Sequence, residues 1–189
     1  MSTFIQEQEF KGIDYSQERL SGKEYLDCRF MDCNFSGLDL GGIEFENCEF
    51  TGCDLSLVKL NRSAFREVIF SNCKMFGLHF QDCNDFLLSM DFRNCQLNLS
   101  SFFRGKAKGF RFKACLLQEV DFEEADLAGV SFDACDLAGA IFDQCNLEKC
   151  DFRTAINYQI DPNTNRISKA KFSRDGLQGL LSGFDIEIS

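Results

Sequence analysis

An all-β solenoid whose chain turns a corner every five residues is the fold this sequence predicts, and three observations carry it. Large apolar residues recur at a five-residue step, all 11 Cys fall in a single phase of that step, and most glycines fall in another.

The step itself comes first. Counting by fives from Phe10 gives Phe10, Tyr15, Leu20, Tyr25, Phe30, Phe35, Leu40, Phe45, Phe50, Leu55, Leu60, Phe65, Phe70, Met75 and Phe80. The register then slips by two residues and resumes at Phe92, continuing through Leu97, Phe102, Ala107, Phe112, Leu117, Phe122, Leu127, Phe132, Leu137, Phe142, Leu147 and Phe152. All but Tyr15, Tyr25, Met75 and Ala107 are Phe or Leu, an excess that a chain with 22 Phe does not produce by composition alone. Five residues fit neither helical nor strand periodicity, because such a step leaves the apolar face of a helix and flips the face of a strand. The chain must therefore turn about once per step and bring the same side inward each time.

A second inward class sits two residues before each centre, and it holds every cysteine: Cys28, Cys33, Cys48, Cys53, Cys73, Cys83, Cys95, Cys115, Cys135, Cys145 and Cys150. Cysteine in this phase reads as a small apolar filler of a tight corner. The spacings track the step and not a CxxC pattern, which argues against a metal site. Gly12, Gly22, Gly37, Gly42, Gly52, Gly77, Gly109, Gly129 and Gly139 lie two residues after a centre, where a corner can require positive φ.

Stretches such as Ala125-Asp126-Leu127-Ala128-Gly129 and Cys135-Asp136-Leu137-Ala138-Gly139 resemble the repeat unit of the pentapeptide-repeat family. The resemblance implies a right-handed quadrilateral parallel β-helix with four pentapeptides per coil. Every fourth centre, allowing for the slip, is Phe10, Phe30, Phe50, Phe70, Phe92, Phe112, Phe132 and Phe152, so one wall is expected to be a column of phenyl rings. At about 4.8 Å per coil, about seven coils make a rod roughly 34 Å long whose core is shared only between neighbouring coils. The expected organisation is a lead-in over 1–8, the β-helix over 9–156 with the slip near 81–91, and a C-terminal segment over 157–189.

The slip falls where Asp85 would otherwise be the only charge at a core centre, so an outward bulge is expected there. The corner over 104–109, with Ala107 at its centre, is a second weak point where the wall can bow outward. Glu18 and Lys23 occupy inward phases of the first coil and imply a polar N-terminal cap. Beyond Pro162, Ser173 is placed to cap a short helix reaching Gly183, and the alternation over 184–188 predicts a final strand. An open apolar rod end recruits a partner, so Leu177, Leu180, Leu181, Phe184, Ile186 and Ile188 are expected to form a tail-to-tail homodimer.

The formal net charge is -10, distributed in bands. Residues 24–54 are acidic but for Arg29, residues 119–148 are acidic without exception, and between them lie Arg93, Arg104, Lys106, Lys108, Arg111 and Lys113. No cofactor fingerprint, phosphate loop or nucleophile pair is present, His79 faces outward, and nothing reads as an enzyme active site or a small-molecule site. No signal peptide or membrane span is visible in the sequence, and the thiol-rich composition suits a reducing compartment, so a cytoplasmic protein is expected.

Within the family, Ala155-Ile156-Asn157-Tyr158-Gln159-Ile160-Asp161-Pro162, Ala170-Lys171-Phe172-Ser173 and the apolar end resemble the C-terminal module of the Qnr, MfpA and McbG type. That resemblance implies a DNA-mimicking dimer that binds the type II topoisomerases DNA gyrase or topoisomerase IV, not nucleic acid, and protects them from quinolones or a toxin. Two rods of about 34 Å would span on the order of 20 base pairs. The surface that would meet the enzyme is then Asp39, Glu44, Glu46, Glu49, Asp54, Asp121, Glu123, Glu124, Asp126, Asp133, Asp136 and Asp143. A structural or adaptor β-helix with a different protein partner is the alternative. The basic band departs from a uniform mimic and favours partial contact.

Overall fold

The computed structural model describes residues 4–18, 20–184 and 186. Each five-residue step forms one side of a square coil, and successive coils stack as a right-handed parallel β-helix. The walls are designated A to D by their central residues. Wall A carries Phe30, Phe50 and Phe70, wall B Phe35, Leu55 and Met75, wall C Leu40, Leu60 and Phe80, and wall D Tyr25, Phe45 and Phe65; all are buried.

Wall D begins as a four-stranded parallel sheet of β1 (Phe4–Gln6), β3 (Glu24–Leu26), β5 (Glu44–Glu46) and β7 (Ala64–Arg66). Wall A is a seven-stranded sheet of β2 (Glu9–Lys11), β4 (Arg29–Met31), β6 (Glu49–Thr51), β8 (Val68–Ser71), β9 (Met90–Arg93), β10 (Arg111–Lys113) and β11 (Phe132–Asp133). Walls B and C are held by single parallel bridges such as Asp14↔Asn34 and Asp39↔Lys59. The bridges continue past residue 156, to Asn146↔Arg166 and Asp151↔Lys171.

Register places like on like. In wall A, Phe10↔Phe30, Phe30↔Phe50 and Phe50↔Phe70 pair directly, so their rings stack at centroid separations of 4.8, 4.7 and 5.0 Å. The column runs on through Phe92, Phe112, Phe132 and Phe152 and gains one further ring, Phe172, at 5.3 Å. Offset stacking of this kind adds on the order of 1 kcal/mol per pair to the burial of each ring.

The thiols do more than fill corners. At Phe30, Phe50, Phe70 and Phe92 the centre's carbonyl accepts from the thiol one coil on: Cys53, Cys73, Cys95 and Cys115, each at 3.4 Å. Ser63 does the same for the Leu40 carbonyl at 2.8 Å, and Asn165 for Phe142 at 2.9 Å. Where the corner closes with its own backbone bond, as Leu38 N–H to Phe35 O at 2.9 Å or Ala125 N–H to Phe122 O at 2.9 Å, the same phase can be plain apolar. Cysteine is small enough for the corner and still carries a donor for a carbonyl that burial would otherwise leave bare. Burial pushes the Cys48, Cys145 and Cys150 thiols up to about 12, so they stay protonated and inert at neutral pH.

Most corners place the residue two past the centre in the left-handed region. Seven of the expected glycines adopt it, while Gly22 and Gly109 do not. Gly22 instead donates its N–H to the Tyr25 hydroxyl at 2.9 Å, and Gly109 lies against the Leu88 carbonyl and Ser89 beneath the bulge. The left-handed corner is not reserved for glycine: Asp27, Asn47, Leu57, Arg62, Leu99, Ala114, Ala134 and Lys149 are among many other residues that hold it, with φ between 51° and 62°.

The slip is the expected bulge. Register passes from Phe50↔Phe70 to Phe70↔Phe92. Asn84 N–H still reaches Ser63 O at 2.8 Å and Ser89 N–H reaches Phe65 O at 3.0 Å, so the intervening residues leave the wall. Asp85, Phe86 and Leu87 face solvent while Leu88 folds back against the core. The corner over 104–109 keeps its ladder, with Ala107 N–H bonded to Asp126 O at 3.0 Å.

The rod ends differ from expectation in detail. Glu18 and Lys23 are exposed on the first coil. At the other end the helix expected over 173–183 is a 3-10 helix confined to Asp175–Leu180. Ser173 Oγ accepts from Gly176 N–H at 3.0 Å, and both Gly176 and Gly179 press on Tyr158 where no Cβ would fit. That close approach fixes a short, tight turn in place of a longer helix. The final strand expected over 184–188 falls largely outside the described residues, Ile188 included. Of the described residues there, Ile186 N–H bonds Phe184 O at 3.0 Å.

A left-handed non-glycine residue costs about 1–2 kcal/mol, offset in part by the smaller unfolded-state entropy of a residue with a Cβ. Gly129, φ 80° with open space around its Cα, and Ala114, φ 52°, occupy the same corner phase. Gly129→Ala should therefore lower the unfolding free energy by about 1 kcal/mol, and Ala114→Gly should raise it by about 0.5–1 kcal/mol. Urea denaturation measures both, and a loss at both sites would show that the corners are unstrained.

Candidate functional site

With no catalytic constellation in the sequence, the surface charge is the candidate, and the walls decide which charges act together. Residues one before a centre point outward from the middle of a wall. An Asp or Asn there accepts the N–H two residues on: Asp39 from Gly41 at 2.8 Å, Asp54 from Ser56 at 2.9 Å, Asp121 from Glu123 at 2.9 Å, Asp126 from Ala128 at 3.4 Å and Asp136 from Ala138 at 3.2 Å. These are Asx turns, which shape the corner that follows. Much of the acidity is thus a requirement of the fold before it is a surface property.

The twelve expected surface acids are spread over all four walls, not gathered on one. Asp39, Asp121, Glu123, Glu124 and Asp143 lie on or at the edge of wall C, Glu44, Glu46 and Asp126 on D, Glu49 and Asp133 on A, and Asp54 and Asp136 on B. Several are neutralised. Arg66 lies 2.8 Å from Glu44 and 3.8 Å from Glu46, and Arg29 lies 3.6 Å from Glu49. Arg104 grips Glu124 through both Nε and Nη2 at 2.8 Å, which holds that carboxyl below its usual range. Lys108 pairs with Asp126 at 2.7 Å, and Thr154 donates to Asp133 at 2.9 Å. Among the described residues, Asp39, Asp54, Asp121, Glu123, Asp133, Asp136 and Asp143 are in no ion pair, and of these Asp121, Glu123 and Asp143 share wall C on adjoining coils.

The basic band divides in the same way. Arg93, Arg104, Lys106 and Lys108 pair with Asp91, Glu124, Asp85 and Asp126 at 2.6–2.8 Å. Arg111 and Lys113 remain outward on wall A, opposite wall C. In the middle of the rod wall A is mixed, with Arg111 and Lys113 in register beside Asp91 and Asp133, while the wall across from it carries acid from Asp121 on. The sequence bands hide this separation because one coil visits all four walls within 20 residues; sorting charges by every fourth pentapeptide would have found it.

At the C-terminal end Leu177, Leu181, Phe184 and Ile186 are exposed, whereas Leu180 is partly buried against the core. Tyr158 is buried with its hydroxyl unpaired and its ring against Phe152 and Phe172, so it plugs the last coil. Two apolar features escaped sequence reasoning. Phe86 and Leu87 cap the bulge at 64% and 66% exposure. Leu57 and Leu99 stand at the edge between walls B and C, their left-handed corner phase turning them outward. Among the described residues, no group of three or more His, Cys, Asp or Glu is arranged for a metal ion, and no helix is long and apolar enough to cross a membrane. His79 Nδ1 lies 3.2 Å from the Gln81 amide at the surface.

A family model described as a pentapeptide repeat region matches residues 23–86, 43–122 and 79–152. No curated protein sequence matches the chain. Among solved structures, HetL of the cyanobacterium Nostoc sp. strain PCC 7120, a pentapeptide-repeat protein involved in heterocyst differentiation regulation, is 18% identical over 90% of this chain and 86% of its own, with a TM-score of 0.63. QnrB1, a plasmid-mediated fluoroquinolone resistance protein, is 20% identical over 100% of this chain and 99% of its own, with a TM-score of 0.48. At such identities the likeness is one of fold.

The Asx role predicts that Asp121→Asn, which keeps the acceptor, changes stability by less than about 0.5 kcal/mol, while Asp121→Ala costs about 1 kcal/mol. Equal losses in urea denaturation would remove the turn from the explanation. Hydrogen bonding from Arg153 holds the Asp151 carboxyl below its usual range. Partial burial would raise Asp136, but Asn157 and Gln118 outweigh it and lower it. These groups are more acidic folded than unfolded, so the stability they lend is present above the unfolded pKa. It should be lost as pH falls below about 4 and through the folded values, as denaturation at stepped pH will show.

Proposed function

This chain belongs to the pentapeptide-repeat family, and on that premise we propose that it is a cytoplasmic, non-catalytic binding rod. As a homodimer it docks on the DNA-binding surface of a type II DNA topoisomerase, DNA gyrase or topoisomerase IV, and protects that enzyme from a quinolone or a topoisomerase-poisoning toxin. The observation that supports this best is wall C of the later coils, where Glu123 and Asp143 stand in register on adjoining coils with Asp121 on the same wall, none of them in an ion pair. Coils repeat at about 4.8 Å, so such a wall presents negative charge at regular intervals along a rigid rod, as a duplex backbone does. A basic enzyme surface would be attracted to it, chiefly through the association rate. The exposed Leu177, Leu181, Phe184 and Ile186 supply the apolar end that joins two rods.

The cations on wall A favour a second reading, an adaptor that holds a different protein partner. The two readings separate by wall. In a supercoiling assay with added quinolone the protein should preserve gyrase activity. Glu123→Lys with Asp143→Lys should weaken binding by about tenfold or more without lowering stability, while Arg111→Glu with Lys113→Glu should leave it unchanged. No binding by the unaltered protein, or greater sensitivity to the wall A changes, would reject the topoisomerase reading in favour of the adaptor. Light scattering should give a dimer mass that Leu177→Asp with Leu181→Asp reduces to the monomer; a monomeric parent protein would remove the dimer.

A further inference from the structure

Wall C of the later coils and its edge with wall B carry aliphatic side chains as well as acids: Leu99 is 61% exposed and Ile141 50%. Leu99 belongs to the edge column Gly37, Leu57, Gly77, Leu99, Glu119 and Gly139, one residue per coil and each left-handed, with φ between 56° and 70°. Glycine takes that backbone without steric cost, so Leu99 holds a conformation that the corner would adopt more easily without its side chain. Ile141 lies in the outward column of wall C, where Ser101 pairs with Asp121 and Asp121 with Ile141. Ser101 and Asp121 each accept the N–H two residues on, at 3.2 and 2.9 Å, and so shape the corner that follows. Ile141 has no acceptor to offer. Its corner is held from the next coil by Asn165, which accepts from Cys145 N–H and donates to the Phe142 carbonyl, both at 2.9 Å. The fold therefore uses neither aliphatic side chain.

Four acids accompany them. Glu119 follows Leu99 in the edge column and leans over Gly139, where a Cβ would meet its Cγ at 3.2 Å. Asp121 and Glu123 lie on the same coil as Glu119, and Asp143 on the next. Among the described residues none of the four is in an ion pair.

Resting on the reading of wall C as the docking face, we infer that Leu99 and Ile141 are its apolar anchors, and that the partner is a protein surface with aliphatic sockets set among basic side chains. Charge selects that partner: four carboxylates without counter-ions attract a basic surface and repel an anionic one, nucleic acid included. A partner that read charge alone would gain nothing from a leucine at one position and an isoleucine at the other. An aliphatic residue scattered singly over a surface needs no explanation. Here two stand on coils about 10 Å apart along the rod, on either side of the same acids, in columns where other coils have Gly, Ser or Asp. In such an arrangement the acids set the rate of encounter, and the side chains seated in sockets set the residence time.

The test replaces each anchor by a residue that its column already holds, Leu99→Gly as at Gly77 and Ile141→Ser as at Ser101. Neither change alters the charge, and the denaturation midpoint of the double variant should stay close to that of the unaltered protein. On immobilised gyrase at several salt concentrations, the double variant should dissociate at least about tenfold faster, with the association rate and its salt dependence unchanged. Glu123→Lys with Asp143→Lys should instead slow association and flatten its salt dependence. Should the double variant not fold, each single variant must dissociate at least about threefold faster. Unchanged dissociation of the anchor variants, with binding still lost in the charge variant, would overturn the anchors and leave the docking face standing. No binding by the unaltered protein would remove the topoisomerase reading and the anchors with it. A lower mass of the double variant in light scattering would assign Leu99 and Ile141 to a contact between copies and overturn the inference.

Discussion

The parallel ladder that ties each residue to its equivalent one coil away governs everything else in this molecule. Because Phe30 pairs with Phe50 and Phe50 with Phe70, the side chain at any position has its own homologue above and below it. A phase that is apolar in one coil must be apolar in the next, or the column breaks. The same rule makes a buried charge intolerable: at the core phase it would lie between two apolar neighbours, with no lateral space for a counter-ion. Asp85 meets this constraint by leaving the wall altogether and pairing with Lys106 outside. The two additional residues of the bulge are the length the chain needs to move outward and return in register.

The same constraint explains why cysteine is concentrated in one phase. A corner needs a residue small enough to let the chain turn, yet a strand-like corner leaves the preceding coil's carbonyl without a backbone partner. Thiol and amide side chains each supply one, as Cys115 and Asn165 do, while Ser63 adds a second bond to the Leu40 carbonyl that Ile43 N–H already holds. Val and Ala occupy the phase where the turn closes itself, as at Val130 and Ala125. Composition that reads as corner filling in the sequence is therefore hydrogen bonding as well in the fold.

Periodicity made the fold legible to the level of individual core residues, since every inward side chain carries the same five-residue signature. The ends and the corners were less legible for local reasons. The expected C-terminal helix rested on Leu177, Leu180 and Leu181, but the contact of Gly176 and Gly179 with Tyr158 is a tertiary one that no local pattern reveals. Likewise the glycines marked the corner phase correctly at Gly129 and Gly139, yet Leu57 and Leu99 take the same left-handed backbone, because the ladder bonds on both sides hold the corner whatever residue occupies it.

The candidate surface was the least legible part, because one residue type serves two ends. An Asp before a centre shapes the corner through its Asx turn, and the same carboxylate also contributes to the outer charge. Asp39, Asp54, Asp126 and Asp136 would be present in a solenoid with no basic partner at all. Only positions where the fold asks for nothing carry information about recognition, and on wall C these are Glu123 and Asp143, which follow the centre and close no turn. Neither forms an ion pair: Arg104, one coil away, commits both its hydrogen bonds to Glu124 and only adds its field at Glu123. An acid left without an ion pair at a position that closes no turn is one whose charge the fold itself does not require.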